Sequence, residues 1–171
     1  MPNRTDTIIA RGAGALKGVT ATIEGLSGVF RTIAKQHAAV RALCGRLEHD
    51  PSKRGELWPT IRSELLAHEH AELLVIYPVL RGYAATHAFA ERHDRDAGVL
   101  ERMIAQLDAE PDPTRWSPLF EDLVSAVVAH ANLEEHDIFP SAQRAIGYGE
   151  AKALDDRYLA AKRAYMPRTA P

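Results

Sequence analysis

One pattern constrains this chain more than any other, and it occurs twice. The first copy reads His68-Glu-His-Ala-Glu72-Leu-Leu-Val-Ile-Tyr77-Pro78 and the second His130-Ala-Asn-Leu-Glu134-Glu-His-Asp-Ile-Phe139-Pro140. Both are His-x-x-x-Glu-x-x-x-Ile-aromatic-Pro. Each copy follows a long amphipathic stretch, and each is preceded by another such stretch with a central histidine, His37 before the first and His93 before the second. The chain therefore reads as one helical hairpin used twice.

The spacing carries chemistry. Four residues of α-helix turn through about 400°, a net rotation of about 40°, and rise about 6 Å. His68 and Glu72 thus point the same way, as do His130 and Glu134, and each pair can share a metal ion. Two such pairs facing each other can hold two metals with the glutamates as bridges. Imidazole with carboxylate suits iron, manganese or zinc. A dinuclear centre has about ten to twelve coordination positions, so four histidines and two bridging carboxylates leave room for an oxo, hydroxo or small exogenous ligand. The same phase argument turns other histidines outward. His70 lies about 200° from His68, and His87 and His136 lie about 240° from His93 and His130. His49 falls at a helix end.

Helical periodicity covers most of the chain, and no stretch shows convincing strand alternation. A first helix runs through Phe30, Ile33, His37, Val40, Leu43 and Leu47. Leu16, Val19, Ile23 and Leu26 continue its pattern upstream, against Gly25 and Gly28. Asp50-Pro51 ends it, and Ser52 is the expected N-cap of the next. The second helix is expected over 56–81, with Gly82 as its C-cap, and the third over 84–108. The segment 110–114 is a break. The fourth is expected over 117–145 and a shorter fifth over 150–165, separated by Gly147 and Gly149. Short connections predict antiparallel neighbours, hence an all-α, up-down four-helix bundle with a short additional C-terminal helix. The expected division is an N-terminal extension over 1–18, the bundle over 19–147, and a C-terminal helix and tail over 148–171.

Composition narrows the partners. A net charge of −2, with Lys and Arg scattered, argues against nucleic acid or an anionic membrane. The longest strongly apolar run, Leu73 to Tyr77, is far short of the ~20 residues of a membrane span. Arg11 interrupts the apolar start, so no leader is expected. The single cysteine, Cys44, precludes an internal disulfide and fits a reducing cytoplasm. It is expected to be a small buried hydrophobe. Tyr77 and Phe139 are expected to pack at the helix ends; the alternative for Tyr77 is that it instead hydrogen-bonds into, or reaches, the metal site. Trp58 and Trp116 are expected to pack, and Glu135 to face solvent.

Taken together, His37, the His68/Glu72/Tyr77-Pro78 signature, His93 and the His130/Glu134/Phe139-Pro140 signature resemble the hemerythrin family, in its HHE cation-binding branch, over about residues 27–145. That resemblance implies an antiparallel four-helix bundle with a non-haem di-iron centre that meets dioxygen or related small oxidants. Oxygen-carrying members place two histidines four apart on the third helix. Here the positions four before and four after His93 are Phe89 and Ala97. Glu69 or Asp96 could supply an extra carboxylate. More oxygen donors and fewer imidazoles favour the ferric state, which suits redox chemistry or sensing better than carriage.

The leading expectation is a di-iron protein responding to dioxygen, peroxide or nitric oxide. His37, His68, His93 and His130 would be terminal ligands and Glu72 and Glu134 bridges. An enzyme that decomposes peroxide or reduces nitric oxide is the alternative, and a helical interaction module with a structural metal site is a third. A sensor of this length would signal through a second copy or a separate partner.

Overall fold

The structure is a computed structural model, and it describes residues 25–166. The upstream continuation through Leu16, Val19 and Ile23 and the extension over 1–18 lie outside the described residues. Every regular element among the described residues is helical: α1 (Gly28–His49), a 3-10 turn (Pro51–Lys53), α2 (Arg54–Ala71), π1 (Glu72–Ile76), α3 (Tyr77–Leu80), α4 (His87–Ala109), α5 (Pro113–Leu133), π2 (Glu134–Ile138) and α6 (Phe139–Tyr165). End to end, α2–π1–α3 is one rod and α5–π2–α6 another.

The order of buried residues along the rods establishes their directions. One apolar layer contains Val29, Phe30, Ile76, Leu80, Ala90, Ile138 and Phe139. A second contains Val40, Leu47, Ile61, Leu65, Leu100, Leu107, Leu123 and Val127. Along α1 and α4 the chain passes from the first layer to the second, and along the other two rods from the second to the first. Neighbouring rods are therefore antiparallel. His37, His68, His93 and His130 fall where each rod passes between the layers, so the bundle carries a polar belt between two oily ones.

Two local features differ from the sequence expectation. Ser52 is not a cap. The Asp50 side chain caps the 3-10 turn, accepting from Ser52 N–H at 3.2 Å, because Pro51 fits the first position of the turn. The second and fourth helices are not uniformly α. Pro78 and Pro140 have no N–H to return to the preceding turn. Just before them the helix widens by one residue, and Tyr77 N–H bonds to Glu72 O and Phe139 N–H to Glu134 O, a five-residue step.

At Gly147 (φ 79°, ψ 169°) the last rod changes direction. Its remainder lies along α1 and α2 and buries Ala151, Leu154, Tyr158 and Lys162. It crosses α1 at Gly28 (φ 52°), where a Cβ would collide with the backbone carbonyl of Ala151. Among the described residues no helix is long and apolar enough to cross a membrane.

Candidate metal centre

The belt gathers seven side chains into two overlapping sets. His37, His68, Glu72 and Glu134 each place a donor atom within 4.8 Å of the others, and so do Glu69, Glu72, His93 and His130. Glu72 belongs to both. Its Oε2 is 3.4 Å from His68 Nε2 and 3.4 Å from His93 Nε2. Glu134 also spans them, with Oε2 3.3 Å from His37 Nε2 and 3.6 Å from His130 Nε2, and Oε1 3.6 Å from His93 Nε2. The four histidines and two glutamates singled out by the doubled motif thus converge on one point of the core.

Glu69 joins them. It is 2% exposed, with Oε1 3.3 Å from His130 Nε2 and Oε2 3.5 Å from His93 Nε2. Asp96 does not. It is half-exposed and pairs with Arg92 at 3.2 Å. The outward histidines lie as expected: His70, His136, His87 and His49 are all exposed. His70 stacks on Tyr165.

Glu135 is the clearest correction. Expected in solvent, it is 1% exposed and accepts from His37 Nδ1–H at 2.8 Å. Arg41 Nη1 lies 3.3 Å from the same oxygen and donates to the other, Oε2, at 3.4 Å. The widened turn that begins at Glu134 changes the helical phase, and Glu135 swings toward α1. A carboxylate only accepts, so His37 donates from Nδ1, and with a cation in the cluster this arrangement would leave its Nε2 lone pair to face the ion.

The π turns place the aromatic residues of the motif as well. Five residues now make about one turn, so Tyr77 comes under Glu72 and Phe139 under Glu134. Tyr77 is fully buried, stacks on His93 with centroids 3.6 Å apart, and donates its hydroxyl to Glu134 Oε1. Phe139 lies parallel to His37 at 6.2 Å.

Electrostatically the cluster is strained without a cation. Burial, with Glu134 and Glu69 beside it, holds the Glu72 carboxyl well above the usual range. Burial pushes Glu69 up to about 7. Burial also works to raise Glu134, but the charges of His130 and His37 and a hydrogen bond from His37 hold it far below normal. Burial and the neighbouring His37 depress His68. Both oxygens of Glu72, one oxygen each of Glu69 and Glu134, and Nε2 of His130 are buried with no hydrogen-bond partner. Buried polar atoms are rarely left this way, and five converging on one point is the arrangement a metal would satisfy. The donors, all imidazole nitrogen and carboxylate oxygen, fit iron, manganese or zinc.

Beside the cluster, in the second apolar layer, is a void of about 20 Å³ walled by Val40, Leu65, Leu100 and Val127 and floored by His37, His68, Glu69 and His130. It is the size of about one water molecule.

Fold and site together define an all-helical bundle whose core is built to take up cations. The family model for the hemerythrin HHE cation-binding domain matches residues 29–142, and the chain belongs to that family. A DNA nickase of Nostoc sp. (strain PCC 7120) is 26% identical over 133 residues, which is 76% of this chain and 38% of that protein. The chain thus spans well under half of that relative. No solved structure matches it.

Proposed function

We propose that this chain is a non-haem di-iron protein that takes up a small oxidant, dioxygen, peroxide or nitric oxide. The observation that carries this is the pair of donor sets sharing Glu72. One ion would sit among His37, His68, Glu72 and Glu134, and the other among His93, His130, Glu69, Glu72 and Glu134. Iron bound there would supply one-electron redox steps and an open coordination position.

The protein's own residues would set what reaches it. A void of about 20 Å³ admits a diatomic molecule or peroxide and little more. Its apolar walls exclude water chains. Glu135 holds His37 in the ligating tautomer, and the Tyr77 hydroxyl steadies Glu134. The outer edge of His130 faces an open groove lined by Arg92, Val99, Ala126 and Leu133, a route from solvent.

Glu69 gives the enzyme reading its own support. It adds a carboxylate to the set in a chain whose third long helix lacks the second imidazole of the oxygen carriers. Two divalent ions facing three carboxylates are nearly neutralised, which favours a higher iron oxidation state and turnover over reversible carriage. Steady-state consumption of peroxide or nitric oxide, with and without Glu69→Gln, separates turnover from simple binding. A net charge of −2 does not favour duplex DNA, so the activity named for the Nostoc relative is not proposed for this chain.

The first test is elemental analysis and visible absorption of aerobically purified protein. Two irons per chain with near-ultraviolet charge-transfer bands are expected. Metal-free protein whose spectra are unchanged in His68→Ala and Glu134→Ala would sink the proposal.

A further inference from the structure

The family match ends at residue 142, yet the helix beyond Gly147 reaches the metal cluster. Tyr158 is fully buried, its hydroxyl is 2.9 Å from His68 Nδ1 and 2.8 Å from Gln36 Oε1, and His68 Nδ1 is itself 3.2 Å from that Gln36 oxygen. Lys162, one turn on, is also buried and donates to Gln36 Oε1 at 2.7 Å and to Glu64 at 2.7 Å.

The donor and acceptor capacities of these groups allow one arrangement. A lysine ammonium only donates, so the Gln36 atom facing it is the carbonyl oxygen, which only accepts. Tyr158 has a single hydroxyl proton, and it goes to that oxygen. The phenol oxygen is then left to accept, and His68 Nδ1, which faces that oxygen and the Gln36 carbonyl oxygen, must be the N–H. The Nε2 of His68, 3.4 Å from Glu72, is thereby the lone-pair nitrogen. We propose that the C-terminal helix is part of the metal site: Lys162, Gln36 and Tyr158 form a hydrogen-bond relay that converges on the Gln36 oxygen, with His68 donating into it, and so locks His68 in its metal-binding tautomer and tunes the ion in the His37/His68 half.

This rests on the di-metal reading. Both histidines of one half have an identified group on Nδ1, Glu135 for His37 and Tyr158 for His68. Tyr158 is a positioning residue, since it would touch no metal or substrate.

The test uses the full chain, stripped of metal and titrated with cobalt(II), whose visible bands report each occupied site. Wild type is expected to take up two ions, and His68→Ala marks the step belonging to the His37/His68 half. Tyr158→Phe keeps the ring and removes its hydroxyl from the relay. It is expected to weaken that step about 10- to 100-fold and leave the other unchanged. Lys162→Met is expected to weaken the same step, and the double variant no further than the worse single one. In the zinc-loaded protein, the His68 Nδ1–H signal in nitrogen–proton correlation spectra is expected in wild type and is expected to exchange markedly faster with water in Tyr158→Phe, where only the longer contact to Gln36 Oε1 is left to hold it. Matching far-ultraviolet circular dichroism of the metal-free proteins separates this from misfolding. A wild type that binds no cobalt defeats the di-metal reading itself. Two ions in wild type with Tyr158→Phe indistinguishable, or with both steps weakened equally, overturn the relay and leave that reading intact.

Discussion

Glu69 and Glu135 each follow a motif residue directly, and each enters the cluster by a different physical route. Glu69 is about 100° around the helix from His68, which turns it toward the third and fourth rods, where His93 and His130 converge. Glu135 arrives because the helix unwinds to π at Glu134. A uniform helical phase recovers His37, His68, Glu72, His93, His130 and Glu134 and cannot place Glu135, since the phase itself changes there. It placed Asp96 only as an option, and the structure gives that residue to Arg92. Glu69 also makes a clean pH prediction for metal-free protein. Burial raises its carboxyl from 4.5 to about 7. A raised folded value means that its contribution is full below about 4.5 and is lost as pH rises through 7. Relative to Glu69→Gln, metal-free wild type should lose on the order of 2–3 kcal/mol across that window, read by urea unfolding at a series of pH values. A constant difference between the two proteins would refute it. Cys44 is buried in the second apolar layer, and burial pushes its thiol up to about 12. It should not react with a disulfide reagent at pH 8 until the chain unfolds, and rapid labelling of native protein would count against that placement.

At the scale of elements, the two prolines of the motif do more than end helices. Pro78 and Pro140 impose the π turns, and those turns bring Tyr77 onto Glu134 and His93 and Phe139 against His37. The prolines were readable in the sequence as marks near helix ends. The register change was not, because hydrophobic periodicity over so short a run cannot distinguish an α-turn from a π-turn. Pro78→Ala restores a backbone donor and should let α2 continue as plain α-helix. Metal-free Pro78→Ala should therefore melt no lower than wild type, while its affinity for cobalt(II) falls about tenfold or more as Tyr77 leaves Glu134. A variant with unchanged affinity would mean that the π turn does not shape the site.

The whole molecule is layered, with apolar packing above and below a belt of charge. Its helix count, antiparallel order and the position of the belt were all readable, because each rod repeats one pattern of oil, histidine, oil. The path of the last helix was not readable: it depends on the positive φ of Gly147 and the close crossing at Gly28. The two apolar layers should keep the metal-free chain helical, with the belt as its weak plane. Chelation should thus leave the far-ultraviolet spectrum largely intact and lower the melting temperature. A ligand at about 1,000 times its Kd contributes about 4 kcal/mol, the scale of loss to look for. Equal melting temperatures with and without metal would contradict this.

The most direct test of the central claim, two ions held by donor sets that share Glu72, is metal stoichiometry per chain in wild type and in Glu72→Ala, measured by elemental analysis. Two irons per chain in wild type, falling to one or fewer in Glu72→Ala, is the predicted result. A wild type with no bound metal, or a Glu72→Ala protein that still holds two, would contradict it.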